Sequence, residues 1–291
     1  MVPGAQNLLN RREPGLATTS VMTAGRDAAD VRRYLRATVG WTVAIYALLG
    51  AALAGFLPAV LLVAAVPLIY VRLSLALHEL LHLRAAARVP AFHRLAMIFD
   101  TPFGLGYREH RALHLRHHRS GAGGADPELF QIAGGHLRAF ASSLVAPERS
   151  LLVWIRTRGI SAPLAREASL RLVAFALVAA LNPMVFLLYW VVLRASIGAA
   201  GFVFHHVLHN RSGRLGTFSL PVPERVLRTG YALFGTEPML ILARHRAHHL
   251  WPELRVRELP DLPRAFELPP GPVTPAMRAA ARAVACGAPR R

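Results

Sequence analysis

Cysteine is almost absent from this chain and lysine is wholly absent, and both absences limit its chemistry. The single Cys286 excludes an intramolecular disulfide and any zinc or iron–sulfur site built from cysteines. All 34 basic residues are arginine, which is typical of a compositional bias rather than of selected phosphate contacts. The formal net charge of +18 therefore does not predict a nucleic-acid partner. A basic face against anionic lipid or an acidic protein explains it better.

Charge of either sign is missing from two long segments, residues 37–71 and 172–193. Only 17% of the residues are charged and 54% are hydrophobic, whereas about a quarter of the residues of soluble domains are charged. About 20 helical residues cross a hydrocarbon core of about 30 Å, so each segment is long enough to span a bilayer. The sequence therefore predicts an integral membrane protein.

Turn signals divide both apolar regions. Residues 37–71 would form a helix of roughly 52 Å, too long for one crossing. The stretch Gly55-Phe56-Leu57-Pro58 in its middle predicts a hairpin over about 37–82. A second hairpin is predicted over about 169–210, with its turn near Asn182-Pro183 or near Arg194. Two hairpins give about four transmembrane helices and place both termini on one side of the membrane. The arginine-rich flanks indicate that this side is cytoplasmic.

The expected fold is an all-α integral membrane protein with two transmembrane hairpins and cytosolic segments rich in arginine. The membrane domain is predicted over residues 31–265, with cytosolic segments at 83–168 and 211–265. Residues 1–30 are expected to form a disordered N-terminal tail, and residues 266–291 a flexible C-terminal tail.

Eleven of the 14 histidines fall into four short clusters. The clusters are HELLH (His78, His82), HLRHH (His114, His117, His118), HHVLH (His205, His206, His209) and HRAHH (His245, His248, His249). Spacings of three and four residues put side chains on one face of a helix, so the clusters predict metal ligands. HELLH alone is typical of a zinc protease, with Glu79 as general base. His93 and His136 stand apart and are expected to be packed or hydrogen-bonded.

The number of histidines predicts two metal ions. The eight histidines of HELLH, HLRHH and HRAHH, together with His209, supply nine imidazoles, which is too many for one ion of any first-row metal. Divided over two ions, they give four or five ligands each. Imidazole binds zinc, copper, iron and nickel. A site that faces lipid chains at the membrane favours chemistry on unactivated C–H bonds, and hence redox-active iron with O₂.

The order of the histidine motifs resembles that of the membrane fatty acid desaturase/hydroxylase superfamily. HxxxH, HxxHH and a final HxxHH follow a membrane hairpin, and HRAHHLWPELRVRELPDLP at residues 245–263 matches the ending of the third motif. The resemblance runs from about Leu75 to Leu262. It implies that the two transmembrane hairpins are capped by a cytosolic helical domain holding a dinuclear metal site, a non-heme iron centre. The implied reaction is O₂-dependent desaturation or hydroxylation of a lipid chain. It also implies a separate ferredoxin- or cytochrome-type electron donor, since no heme-binding HPGG stretch occurs.

The resemblance also implies a set of iron ligands. By motif position they are His78, His82, His114, His117, His118, His245, His248 and His249. His209 matches an additional histidine of the family. His205 departs from members that have an asparagine there, acting through water, and its direct ligation is in question. His110, one turn before His114, is an extra histidine expected to lie behind the ligands.

Two carboxylates follow the second motif in the stretch ADPEL. Asp126 and Glu128 are candidates for hydrogen-bond partners that orient the ligand imidazoles. Alternatively, Asp126-Pro127 is an ordinary helix start, with the aspartate as N-cap.

The leading prediction is O₂-dependent fatty acyl desaturation, because of the HHLWP ending. Hydroxylases or ketolases that act on lipids, alkanes or carotenoids share the motifs and remain alternatives. A membrane zinc protease is a further alternative. It would need a third ligand, typically an aspartate, in a later membrane helix, and residues 172–193 contain no acidic residue.

Overall fold

The computed structural model describes residues 16–83, 101, 103–263 and 266–287, with side chains from residue 28 onward. His93, expected to be a packed residue, lies outside the described residues. The helices are α1 (Leu16–Leu53), α2 (Leu62–His82), α3 (Tyr107–Ser120), α4 (Leu129–Ile132), α5 (His136–Leu144), α6 (Ala146–Arg158), α7 (Ala162–Leu181), α8 (Pro183–Gly201), α9 (Glu224–Phe234), α10 (Thr236–Ala243), α11 (His245–Leu250) and α12 (Pro275–Gly287). Short 3₁₀ turns lie at Ala59–Leu61 and Val256–Glu258, a π-helical segment at Phe202–Val207, and a two-stranded antiparallel ribbon at β1 (Asn210–Arg211) and β2 (Arg214–Leu215).

Helices α1 and α2 form a hairpin that packs with α8 around the main apolar core. The chain reverses at residues 54–57, within the segment where the sequence predicts the turn. Gly55 has a φ of 76°, which a residue without a Cβ adopts without strain. Helix α1 reaches back to Leu16. Residues 16–30 are therefore helical and not the expected disordered tail, while residues 1–15 lie outside the described part of the chain.

Three helices of the described chain are long and apolar enough to cross a membrane: Ala28–Leu53, Ala59–His82 and Pro183–Val207. The expected fourth crossing would be α7, but Arg166, Glu167 and Arg171 occupy its first half. The remaining ten residues extend about 15 Å, half the thickness of the hydrocarbon core. The expectation of four full crossings is therefore only partly met.

The second hairpin turns at Asn182, between α7 and α8. The side chain of Asn182 accepts a hydrogen bond from the Val185 amide at 3.2 Å, and Pro183 takes the first helical position, a typical helix start. Arg194, the other predicted turn position, lies inside α8 instead. Its guanidinium donates to the Glu148 carboxylate and to the Leu144 carbonyl oxygen, which explains how an arginine sits in an apolar helix.

The end of α8 changes from α-helical to π-helical over Phe202–Val207. The amide of Leu208 donates to the carbonyl of Val203, five residues earlier. The apolar pattern of the sequence does not distinguish this segment from an ordinary α-helix, so the π-helical turn is not predicted. π-Helical turns are rare in proteins, and those that occur are often found at functional sites.

Residues 266–287 are not a flexible tail along their described length, because α12 packs against the third histidine motif. Ala281 is fully buried in a cluster with Leu250 and Trp251. The Gly271 amide donates to the carbonyl of Gly121 at 3.0 Å, at the end of α3. The C-terminal segment thus covers the ends of both HxxHH helices.

Candidate metal centre

Nine histidines, the eight of the three motifs and His209, come together where α2, α3, the end of the π-helical segment and α11 meet. One group whose ring nitrogens lie within 4.8 Å of one another contains His78, His82, His114, His118 and His248. A second such group contains His117, His209 and His249. His245 adjoins the second group, with its Nε2 3.0 Å from the Nε2 of His209. With His245 included, the two groups contain five and four histidines.

The spacing of the nitrogens in the first group fits a shared ion. The Nε2 of His114 lies 3.0 Å from that of His82 and 3.1 Å from that of His118. Two nitrogens that bind one ion at about 2.1 Å and at right angles lie about 3 Å apart. The rings meet mostly edge to face, with centroids 4.6–4.8 Å apart among these three histidines. Such rings direct nitrogen lone pairs toward a common point.

The rings of the second group also lie close enough together to share one ion. The ring centroid of His209 lies 4.8 Å from that of His117 and 4.8 Å from that of His249. The two groups adjoin each other, because the rings of His118 and His249 stack at 4.2 Å. Members of one motif therefore separate: His114 and His118 belong to the first group and His117 to the second.

Several ring nitrogens are buried without a hydrogen-bond partner in the described structure. They are both nitrogens of His248, both nitrogens of His249, Nδ1 of His118 and Nδ1 of His245. A buried polar atom without a partner costs about 1–3 kcal/mol, and native proteins hold few of them. Bound metal removes this cost for the nitrogens that ligate it, so the residues present fit a dinuclear metal centre.

Burial keeps these imidazoles in the form that binds metal. Outside the membrane-spanning segments, it lowers the pKa of six of them well below the usual range, since the charged form loses its hydration. The six are His114, His118, His209, His245, His248 and His249. A neutral imidazole offers a lone pair to a metal. His117 differs: burial opposes its charged form, but the Glu128 charge and the hydrogen bond to Asp126 outweigh burial and raise its pKa.

Outer hydrogen bonds orient the ligands. The Nδ1 of His117 donates to Asp126 Oδ2 at 2.7 Å, and the Nδ1 of His209 donates to the carbonyl of Gly216 at 3.0 Å. Each bond leaves Nε2 directed at the second group. In the first group, Nδ1 of His78 lies 3.2 Å from Glu79 Oε1. Such partners set the tautomer and the ring orientation of metal-binding histidines.

Asp126 orients a histidine and is not the N-cap of α4, because that helix begins at Leu129 with Glu128 as its N-cap. Its Oδ2 accepts from His117 Nδ1 and from the Ala122 amide, at 2.7 and 2.9 Å. Its Oδ1 accepts from the Glu128 amide at 2.8 Å, just before α4 begins at Leu129. One carboxylate therefore closes the loop after α3 and orients a ligand of the second group.

His205 pairs with Glu128 and belongs to neither of the two groups that together contain the nine histidines. Its Nε2 lies 3.0 Å from Glu128 Oε2, and its Nδ1 lies 3.2 Å from the carbonyl oxygen of Gly201. Both ring nitrogens therefore face oxygen atoms of the protein, and His205 lies outside the groups that could hold a metal. Burial acts to raise the pKa of Glu128, but His205 and His117 hold it well below the usual range.

His206 points away from the metal groups, toward α5. It is buried, and its Nδ1 donates to the carbonyl of Ile132 at 2.9 Å. Its Nε2 accepts from Nδ1 of His136 at 2.8 Å. His136, expected to be packed or hydrogen-bonded, is hydrogen-bonded but largely exposed. The pair fastens the π-helical segment to α5.

Contacts of α11 hold the third motif in place. Arg244 donates to Asp261 at 2.8 and 3.2 Å, and Arg246 donates to the carbonyl of Phe266. Trp251 is buried beneath them. The segment after HRAHH, which matches the ending of the family's third motif, therefore folds back against α11.

A cavity of about 210 Å³ opens beside both groups. Its apolar wall includes Leu75, Leu81, Ile197, Phe204 and Ile241. It also reaches polar residues outside the motifs, among them His110, Gln131 and Ser150. The ring centroid of His110 lies 6.4 Å from that of His114, and His110 lies outside both groups. Gln131 carries no sequence signal: it lies in no motif, and only the fold brings it to the cavity.

Residues 51–272, more than half of the 291-residue chain, match the family model described as Fatty acid desaturase. The matched range contains all nine histidines of the two groups. Neither a curated protein nor a solved structure matches the chain. The resemblance seen in the order of the histidine motifs is confirmed.

Proposed function

This chain is a member of the fatty acid desaturase family, and we propose that it is an O₂-dependent diiron enzyme that desaturates a fatty acyl chain. Family membership makes it a membrane oxidoreductase of the desaturase or hydroxylase type that acts on a lipid, and it gives no support to a zinc protease. The observation that carries the proposal is the pair of adjoining histidine groups beside a cavity with an apolar wall.

The two groups are the proposed iron sites. One iron would be held by His78, His82, His114, His118 and His248, and the other by His117, His209, His245 and His249. When bound, the two irons supply with O₂ the oxidising power needed to break an unactivated C–H bond. Ligation by imidazole alone suits iron but does not select it over other metals, so metal content has to be measured.

The protein's own residues position the reaction. Asp126 and the Gly216 carbonyl hold His117 and His209 with Nε2 facing inward. The wall formed by Leu75, Ile197 and Phe204 places a hydrocarbon chain beside the histidines and excludes water. Tyr107 donates to the carbonyl of Leu80 at 2.9 Å, which ties α3 to α2 between the two histidines of HELLH.

We place the centre and both termini on the cytoplasmic side. His82 ends α2 and His209 follows α8, and both reach the same centre, so the two helices run in the same direction through the membrane. The arginine-rich segments lie at this end of the helices, as the positive-inside rule expects. Electrons come from a separate ferredoxin- or cytochrome-type donor in this proposal.

The deciding experiment measures metal content and product together. The protein, purified anaerobically in detergent, is expected to hold about two irons per chain, from the division of the nine histidines. Membranes are then incubated with labelled acyl lipids, a reductant and ¹⁸O₂, and the products are analysed by mass spectrometry. A desaturated product gains no ¹⁸O, whereas a hydroxylated product gains one atom and would favour the hydroxylase alternative.

A matched pair of variants separates the two sites. His248→Ala removes a histidine of the first group, and His245→Ala removes one beside the second. Each is expected to lower iron content and to abolish turnover. One zinc and no iron in the wild-type protein, or turnover under argon, would contradict the proposed function.

A further inference from the structure

The cavity beside the histidines is not a uniformly apolar channel. Gln131, from α4, and Ser150, from α6, add polar side chains to its wall. We propose that these two residues form a hydrogen-bonding subsite for an oxygen-bearing group of the substrate, a hydroxyl or a carbonyl. The inference rests on the proposed function, because it concerns the substrate of the same cavity.

Gln131 is the stronger of the two observations. Only 3% of the residue is exposed, yet its side-chain amide has no hydrogen-bond partner among the residues that the structure describes. A ligand that covers this amide without hydrogen-bonding to it would leave the amide buried and unsatisfied, which is unfavourable. Since Gln131 lines the cavity, a ligand in the cavity is the available partner.

The backbone beside Gln131 lets the amide approach closely. Gly201, at the end of α8, also lines the cavity. A Cβ added at Gly201 would lie 3.1 Å from Oε1 of Gln131 and 3.3 Å from Oγ of Ser143. A side chain at position 201 would therefore push against the amide, and the glycine leaves it room.

Ser150 supports the same interpretation from another helix. It follows Ala146 and Pro147 along α6, and all three residues face the cavity. Its hydroxyl makes no hydrogen bond within the described part of the chain. Ser74 offers a contrast in the same cavity, because its hydroxyl already donates to the carbonyl of Val71 at 3.1 Å.

The two unpartnered side chains select a chemical class. A plain alkane would leave the amide of Gln131 and the hydroxyl of Ser150 unsatisfied, whereas an alcohol, ester or other acyl derivative would pair with them. Sites built to hydrogen-bond a substrate group discriminate strongly against analogues that lack it. The subsite therefore favours an oxygenated chain over an alkane.

The test compares ligands of equal chain length. Iron-loaded protein in detergent is equilibrated with radiolabelled hexadecane, 1-hexadecanol or methyl hexadecanoate, and dissociation constants are measured by equilibrium dialysis. The ratio of the constants for alcohol and alkane is compared between wild type and variants, which cancels the different partitioning of the ligands into detergent. The variants are Gln131→Leu, of similar volume, and Ser150→Ala, with Ser74→Ala as the matched control.

Gln131→Leu is expected to reduce the preference for oxygenated ligands about tenfold, the equivalent of one hydrogen bond to a buried group. Binding of hexadecane should be unchanged or tighter. Ser150→Ala should act in the same direction, and Ser74→Ala should leave the ratio at the wild-type value. Should Gln131→Leu not fold, the comparison of Ser150→Ala with Ser74→Ala decides the question.

An unchanged ratio in both Gln131→Leu and Ser150→Ala would overturn the subsite. It would leave the proposed function intact, provided that the variants still hold two irons and oxidise lipid. Conversely, wild-type protein without iron would reject the proposed function, and the same ligand ratios, measured on the protein as purified, would still report on the polar subsite.

Discussion

Removal of the Asp126 carboxylate tests how strongly the loop after α3 supports the second histidine group. The side chain of Asp126 is fully buried and accepts three hydrogen bonds, from His117 Nδ1, the Ala122 amide and the Glu128 amide. Asp126→Ala leaves all three donors without their acceptor. Asp126→Asn keeps one amide oxygen but turns an NH₂ group or a neutral oxygen toward the imidazole. The two variants therefore remove the hydrogen bonds of Asp126 to different extents, completely in Asp126→Ala and partly in Asp126→Asn.

The magnitude follows from the burial of the donors. His117 is 3% exposed and Ala122 is fully buried, so water cannot readily replace the lost acceptor at either donor. Hydrogen bonds to a charged group contribute about 1.5–3 kcal/mol each. Loss of these two bonds in Asp126→Ala is expected to lower the free energy of unfolding by about 3–6 kcal/mol, a large part of a typical 5–15 kcal/mol. Asp126→Asn is expected to lose about half as much.

Metal affinity provides the more specific measurement. Loss of an outer partner of a ligating histidine typically weakens metal binding by about 10- to 100-fold, so Asp126→Asn should release iron at much lower chelator concentrations than wild type. Iron retention during chelator titration and thermal unfolding in detergent are measured for both variants. The control is Glu224→Gln, which breaks an exposed pair with Arg228 and should change neither quantity appreciably. Wild-type iron retention in Asp126→Asn would refute the assigned role of Asp126.

The remaining predictions concern the π-helical segment and the C-terminal cover. His209→Ala should abolish activity and lower iron content, because it removes a histidine of the second group; His205→Asn should keep iron and partial activity, because His205 faces Glu128. His206→Gln should keep iron but melt at a lower temperature, since it weakens the hydrogen bonds to Ile132 and His136. Iron content at matched expression is measured for all three histidine variants. A His206→Gln protein without iron would contradict the observed orientation of His206. Gly121→Ala should destabilise the fold, because φ is 47° and the new Cβ would lie 2.5 Å from the carbonyl oxygen of Gly271; an unchanged melting temperature would argue against that contact. Ala281→Asp places a carboxylate in a fully buried position and should also lower the melting temperature, whereas a flexible tail would tolerate it.

The composition of the histidine centre was predictable because it depends on local spacing. Residues three or four apart on a helix share a face wherever that helix is placed. The motifs at residues 78–82, 114–118 and 245–249 therefore identify eight of the histidines, and the family match over residues 51–272 confirms the resemblance on which their role as ligands rests. The membrane character was also predictable, since long uncharged segments cannot be hydrated without a large free-energy cost.

Three features of the fold were predicted wrongly, incompletely or not at all. The C-terminal residues look like a tail in sequence, but Ala281 becomes buried only because Leu250 and Trp251 leave an apolar surface to cover. The fourth crossing, expected from the length of the apolar region, is not confirmed, because the charged residues at 166–171 leave α7 too short an apolar stretch. No local pattern predicts the π-helical turn at 202–207.

The sequence by itself determined which imidazoles are available, because local spacing and apolar runs are properties of single helices. Tertiary structure decided how they are divided. His117 joins His209 and His249, while His114 and His118 join His82, since the packing of α3 between α2 and α11 determines which neighbour each face meets. It also decided that Gln131 reaches the cavity, because α4 meets the end of α8 at a glycine that leaves room for the amide. Contacts between residues that lie on different helices depend on packing, and local spacing along the chain does not encode them.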